Sequence, residues 1–96
     1  MISGFGDQAS EDIFHGEKTK AARRIPMRIW KIACRKLDLL NAAHALHDLA
    51  VPPGNQLEAM KDSWAGFYSI RANDQYRILF TWHEGHAHNV RITDYH

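Results

Sequence analysis

Cysteine is nearly missing from this chain, with Cys34 the single one in 96 residues. One thiol cannot close an internal disulfide, and with no CxxC or Cys/His zinc spacing the usual staples of small domains are excluded. Stability has to come from packing. Long apolar runs are missing too. No stretch approaches the ~18 apolar residues of a membrane span, and the N-terminus lacks the roughly 7 to 15 apolar residues of a secretory signal. A cytoplasmic location with no membrane partner is the expectation. Net charge is scarce: 12 Lys+Arg against 11 Asp+Glu leave +1, which argues against strong indiscriminate nucleic-acid binding.

What is present is one domain's worth of ordinary globular composition, 45% hydrophobic and 24% charged. Residues 1–96 are read as a single domain, with 1–24 in part mobile. The charge is segregated. Lys18, Lys20, Arg23, Arg24, Arg28, Lys31, Arg35 and Lys36 fall in a stretch without any acid, and Asp7, Glu11, Asp12 and Glu17 crowd the segment before it. Such a basic stretch can follow a phosphate backbone with salt-dependent affinity; the plain alternative is a solvated helix face.

Residues 1–24 read as a first strand, a short helix and a mobile loop. Pro26 suits a helix start, and Ile29, Ala33, Leu37 and Leu40 recur at helical spacing, which predicts a helix over 26–41. A second short helical piece is expected over 42–49, stopped by Val51-Pro52-Pro53-Gly54-Asn55. Beyond that loop the period changes to two. Tyr76, Ile78, Phe80 and Trp82 share one face of a strand, with Leu79 as the exception. Residues 66–72 form its hairpin partner across Asn73-Asp74, and 87–93, with Val90 and Ile92 facing the core, form a second hairpin across His83-Glu84-Gly85-His86. Residues 57–61 are a further short strand. Helices first and a strand meander afterwards predict an α+β fold, a twisted, mainly antiparallel sheet of four to five strands with two to three helices on one face.

Seven histidines invite a metal, but His83, His86 and His88 lack helical HExxH spacing and have no cysteine or carboxylate pair to complete a tetrahedral set. His44 and His47 supply only two ligands. No metal and no other cofactor is predicted. No phosphate-cradling glycine loop occurs, and no motif marks Ser69 or Cys34 as a nucleophile. There remains a polar set on the C-terminal strands: Glu58, Lys61, Arg71, Arg77 and Asp94-Tyr95-His96. Cleavage of RNA without a metal asks for a base at the ribose 2′-OH, an acid at the leaving 5′-oxygen and cations at the phosphorane-like transition state. All three residue types are here, and so is their bland use as surface residues of a half-exposed sheet.

The run from Pro52 to Lys61, then Gly66 to Arg71, Asn73 to Ile78 and Asp94-Tyr95-His96 resembles the HigB-type toxins of the RelE/ParE superfamily, also called plasmid maintenance killer proteins. Met1-Ile2, the element around Phe14 and Gly16, and Ile25-Pro26 fit the same order. The resemblance implies a small RelE-like fold and an endoribonuclease, an mRNA interferase that cleaves messenger in the ribosomal A site. It also implies neutralisation by a HigA-like helix-turn-helix antitoxin, through which alone operator DNA would be met. By motif position Lys61 is the phosphate or leaving-group cation, Arg77 the transition-state clamp, and Asp94, Tyr95 and His96 the remainder of the site. Glu58 stands where members carry a histidine or a glutamate. Histidine titrates near neutrality, which suits His96 as general acid, with Glu58 the candidate base and Lys61 or Tyr95 open alternatives. Arg23, Arg24, Arg28, Lys31, Arg71 and Arg91 are the expected contacts to RNA and ribosome. One departure stands out: the family's usual Lys-Gly-Asp-Arg reads Lys61-Asp62-Ser63-Trp64 here.

The same scaffold also serves non-enzymatic binders, either a ParE-like topoisomerase inhibitor or an antitoxin partner and co-repressor, and fold alone does not separate the two classes.

Overall fold

The computed structural model describes residues 1–94; Tyr95 and His96 of the expected site lie outside them. Helix α1 spans Gln8–Phe14, α2 Trp30–Ala42, and four strands follow: β1 Glu58–Ala59, β2 Tyr68–Arg71, β3 Tyr76–His83 and β4 His86–Asp94. They form an antiparallel meander in the order β1-β2-β3-β4, the α+β arrangement that the period change at the proline loop predicts.

Helix α2 follows from its spacing: Ile29, Ala33, Leu37 and Leu40 are all buried and meet Ile70, Ile78, Phe80 and Val90 of the sheet in one core. Its entry differs from the expected start at Pro26. Met27–Ile29 make a 3-10 turn first, and the α-helix begins only at Trp30. The second helical piece expected over 42–49 is likewise a 3-10 turn, Leu46–Ala50. The Asp48 carboxylate accepts from the N–H groups of His44 and Ala45 at 3.1 and 3.0 Å, which breaks helical continuity from α2. His44 and His47 therefore do not share a helix face.

The proline loop is fixed by Asn55, which is fully buried. Its amide donates to the carbonyls of Leu49 and Val51, and its oxygen accepts from Lys36 of α2 at 2.5 Å. The β2–β3 turn is closed by Asn73, whose side-chain oxygen takes the N–H groups of Gln75 and Tyr76. Glu84 and Gly85, at φ 51° and 79°, make the tight β3–β4 turn that a right-handed sheet twist favours.

Along β4 the alternation slips once. Pairing runs Leu79↔Arg91 and then Thr81↔His88, with Asn89 at φ 55° as the extra residue. Ala87 and Val90, three apart, consequently both reach the core. The outer edge of β4 is also covered. Ile2 and Phe5 bridge in parallel to Ala87 and Val90, and Ser3 and Gly6 N–H groups donate to the carbonyls of the same two residues at 2.7 Å. Ser10 of α1 accepts the N–H of Ile92 at 2.8 Å. Residues 2, 3, 5, 6 and 10 are tied to β4 at these points.

Candidate active site

The sheet's second face, turned away from the helices, carries Glu58, Arg71, Arg77 and Arg91 of the expected residues. Register places Glu58 opposite Ser69, Ser69 opposite Leu79 and Leu79 opposite Arg91, so one row crosses all four strands. Arg71, Arg77 and Thr93 form the adjacent row. Leu79, the exception to the alternation of β3, is explained here: it is buried on this face, outside the helix-side core.

Arg77 is the best-anchored of the predicted residues. Only 8% exposed, it donates from Nε to the Ser69 hydroxyl at 2.8 Å and from Nη2 to the Gln56 carbonyl at 2.5 Å. Gln56 presents that carbonyl from a left-handed backbone, φ 46°. Nη2 also stands 3.9 Å from the Glu58 carboxylate, whose side chain remains 51% exposed. A buried, hydrogen-bonded guanidinium beside a solvent-facing carboxylate is a preorganised pair: the cation need not reorient as charge develops, and the carboxylate stays accessible to a proton donor.

Lys61 lies past the end of β1 and is exposed. With Glu58, Ala59, Met60 and Asp62 it lines an open cavity of about 280 Å³. The 3-10 turn Asp62–Trp64 follows, and Asp62 takes φ 56°. Left-handed backbone at this position is the reason a glycine suits it, so the departure to aspartate keeps the loop shape at the cost of local strain. Trp64, at the motif's arginine position, meets Phe67 edge to face, ring centroids 5.0 Å apart.

Asp94 ends β4 opposite Tyr76 and accepts from Gln75 Nε2 at 3.0 Å. By register it shares the face of Tyr76, one residue out of phase with Arg77. Arg71 is half-buried and paired with Asp74. Arg23, Arg24, Arg28 and Lys31 are exposed on the 3-10 turns before α2 and on its first turn, whereas Lys36 is engaged with Asn55. Among the described residues no group of three or more His, Cys, Asp or Glu could hold a metal ion. His83 and His88 meet ring to ring at 6.2 Å.

Ser69 and the Gln56 carbonyl, the two partners that orient Arg77, escape sequence reasoning. The pairing of Glu58 with Ser69, and the diagonal from Ser69 to Arg77 two residues from its direct partner Leu79, could have pointed to the serine; nothing in the sequence marks the backbone of Gln56.

A family model described as a RelE-like toxin of the type II toxin-antitoxin system HigB matches residues 3–96. Toxin HigB-1 of Vibrio cholerae serotype O1 is 42% identical over 92 residues, covering 96% of this chain and 95% of that protein. An uncharacterized protein of Haemophilus influenzae is 36% identical over 69 residues, 72% of this chain and 68% of that one. In three dimensions the chain is similar to a chain of the YoeB-YefM complex from Staphylococcus aureus, with TM-score 0.60, 14% identity and coverage of 100% and 98%. It is also similar to a YafQ mutant from E. coli, with TM-score 0.59, 14% identity and coverage of 98% and 93%.

Proposed function

The chain belongs to the RelE-like HigB toxins of type II toxin-antitoxin systems, and from that premise we propose that it is a ribosome-dependent, metal-independent endoribonuclease that cuts messenger RNA in the ribosomal A site and so stops translation. The observation that carries the reading is the Glu58–Arg77 pair: a half-exposed carboxylate 3.9 Å from a guanidinium that Ser69 and Gln56 hold in place. Glu58 accepts the proton of the ribose 2′-OH as that oxygen attacks the adjacent phosphate. Arg77, 3.9 Å from Glu58, and Lys61, which lines the same open cavity as Glu58, stabilise the charge gathering on the pentacoordinate phosphorus. The leaving 5′-oxygen needs a proton, and we assign that role to His96 with Tyr95 beside it, both outside the described residues; Asp94, on the face of Tyr76 and bonded to Gln75, supports the strand end that carries them rather than meeting the phosphate. Arg23, Arg24, Arg28, Lys31 and Arg71 contribute contacts to RNA and ribosome.

The partner is a HigA-like helix-turn-helix antitoxin. A family of toxin-antitoxin pairs and a structural relative solved as a YoeB-YefM complex support it. Inducing the chain alone should arrest growth, co-expressing the antitoxin should rescue it, and mapping messenger 5′ ends during the arrest should show new ends within translated frames. Intact messenger with relaxed or broken DNA would instead favour the topoisomerase-inhibitor reading. Arrest without either would reduce the chain to a binder.

A further inference from the structure

Three segments far apart in sequence meet at one side chain. The Arg91 guanidinium lies 5.4 Å from the centroid of Trp64 and 5.8 Å from that of Phe67, both within the roughly 6 Å at which a ring face attracts a cation. The same guanidinium packs against Gly6: a Cβ there would stand 2.3 Å from its Nη2 and 2.5 Å from its Nε. Gly6 is itself pinned, its N–H donating to the Val90 carbonyl at 2.7 Å. The two rings belong to the turn that carries Lys61. Trp64 N–H donates to the Lys61 carbonyl at 3.1 Å, Phe67 N–H to the Trp64 carbonyl at 2.9 Å, and Met60 N–H to the Phe67 carbonyl at 2.8 Å.

We propose that Arg91 is a positioning residue. Seated against Gly6 and across Trp64 and Phe67, it clamps the 60–67 segment to the sheet and fixes where Lys61 stands relative to Glu58 and Arg77. The inference rests on the reading of Lys61 as a phosphate-facing cation. Sequence places Arg91 with the RNA-binding residues; a guanidinium spread over two rings acts on the loop instead. Arginine is required because its plane is weakly hydrated and stacks, while an ammonium is a strongly hydrated point charge. Gly6 is required for space alone, since a Cβ would occupy the seat of the guanidinium.

Gly6→Ala is the sharpest probe. It displaces only the far end of a flexible side chain, so the fold should survive while the clamp opens. Amide exchange over 61–67 in the isolated protein, single-turnover cleavage on ribosomes and ribosome affinity are measured for Gly6→Ala, Arg91→Ala, Arg91→Lys and Trp64→Phe. The first three should each exchange roughly tenfold faster over the loop and cleave roughly tenfold more slowly, with affinity within about twofold of wild type. Trp64→Phe, which keeps a ring under the cation, should stay near wild type. Unchanged loop exchange in Arg91→Ala and Gly6→Ala would overturn the clamp, and unchanged exchange with reduced ribosome affinity would return Arg91 to RNA binding. If the wild-type protein leaves messenger intact, the nuclease reading fails, and the exchange measurement alone still decides whether Arg91 holds the loop.

Discussion

The two faces of the sheet are built differently. The helix side is a continuous apolar layer in which Leu37, Leu40, Ile70, Ile78 and Phe80 are wholly buried. The other side joins single charged groups to specific partners: Arg77 to Ser69, Gln56 and Glu58, Arg91 to Trp64 and Phe67. One face needs only the right amount of apolar volume, whereas the other needs particular atoms at particular distances. Changes on the first should cost stability, and changes on the second should cost chemistry.

The largest effect should come from the apolar side. Leu37→Ala empties a fully buried site and should cost about 2–5 kcal/mol in denaturant unfolding, a large part of a small domain's total. Any loss of activity should track the unfolded fraction. Next, reversing charge at exposed Arg23, Arg24 and Arg28 together should weaken ribosome binding and flatten its salt dependence, because fewer counterions are released. Binding that stays unchanged while antitoxin affinity falls would make that segment an antitoxin surface. Asp62→Gly, at φ 56°, should raise stability by up to about 1 kcal/mol, read as a shift in the unfolding midpoint at unchanged slope.

The smallest effect concerns acid. Hydrogen bonds from the Ala45 and then the His44 N–H hold the Asp48 carboxyl below its ordinary 3.8. A carboxyl lowered in the folded state stabilises above that value and loses its contribution as pH falls through the folded one. Asp48→Asn should therefore be slightly less stable than wild type at neutral pH, and the gap should close in unfolding experiments taken well below pH 3.8.

The same division governs how much of the molecule was legible in the sequence. The core of α2 was readable because Ile29, Ala33, Leu37 and Leu40 repeat at the helical period, and β3 because its apolar residues alternate. Both are local patterns. Asn89 defeats alternation by adding one residue, and Asp48 turns an expected helix into a 3-10 turn by capturing two N–H groups. On the polar side, residue types offered Glu58, Lys61, Arg71, Arg77 and Asp94-Tyr95-His96 as candidates, the family resemblance gave Lys61 and Arg77 their expected roles, and strand alternation put Arg77 on the side away from the core. Their anchoring was hidden, since Gln56 contributes a backbone carbonyl and Arg91 meets Gly6 across the length of the chain. Such contacts leave no period to read.

The most direct test of the polar face as an active site is single-turnover cleavage of ribosome-bound messenger by wild type and Glu58→Gln, with the product ends identified. A 2′,3′-cyclic phosphate and a 5′-hydroxyl are the expected products of 2′-OH attack. The Glu58→Gln protein should bind ribosomes and melt like wild type but cleave roughly 100-fold more slowly, about 2.7 kcal/mol of lost transition-state stabilisation. A 5′-phosphate product, or a fully active Glu58→Gln protein, would contradict this mechanism.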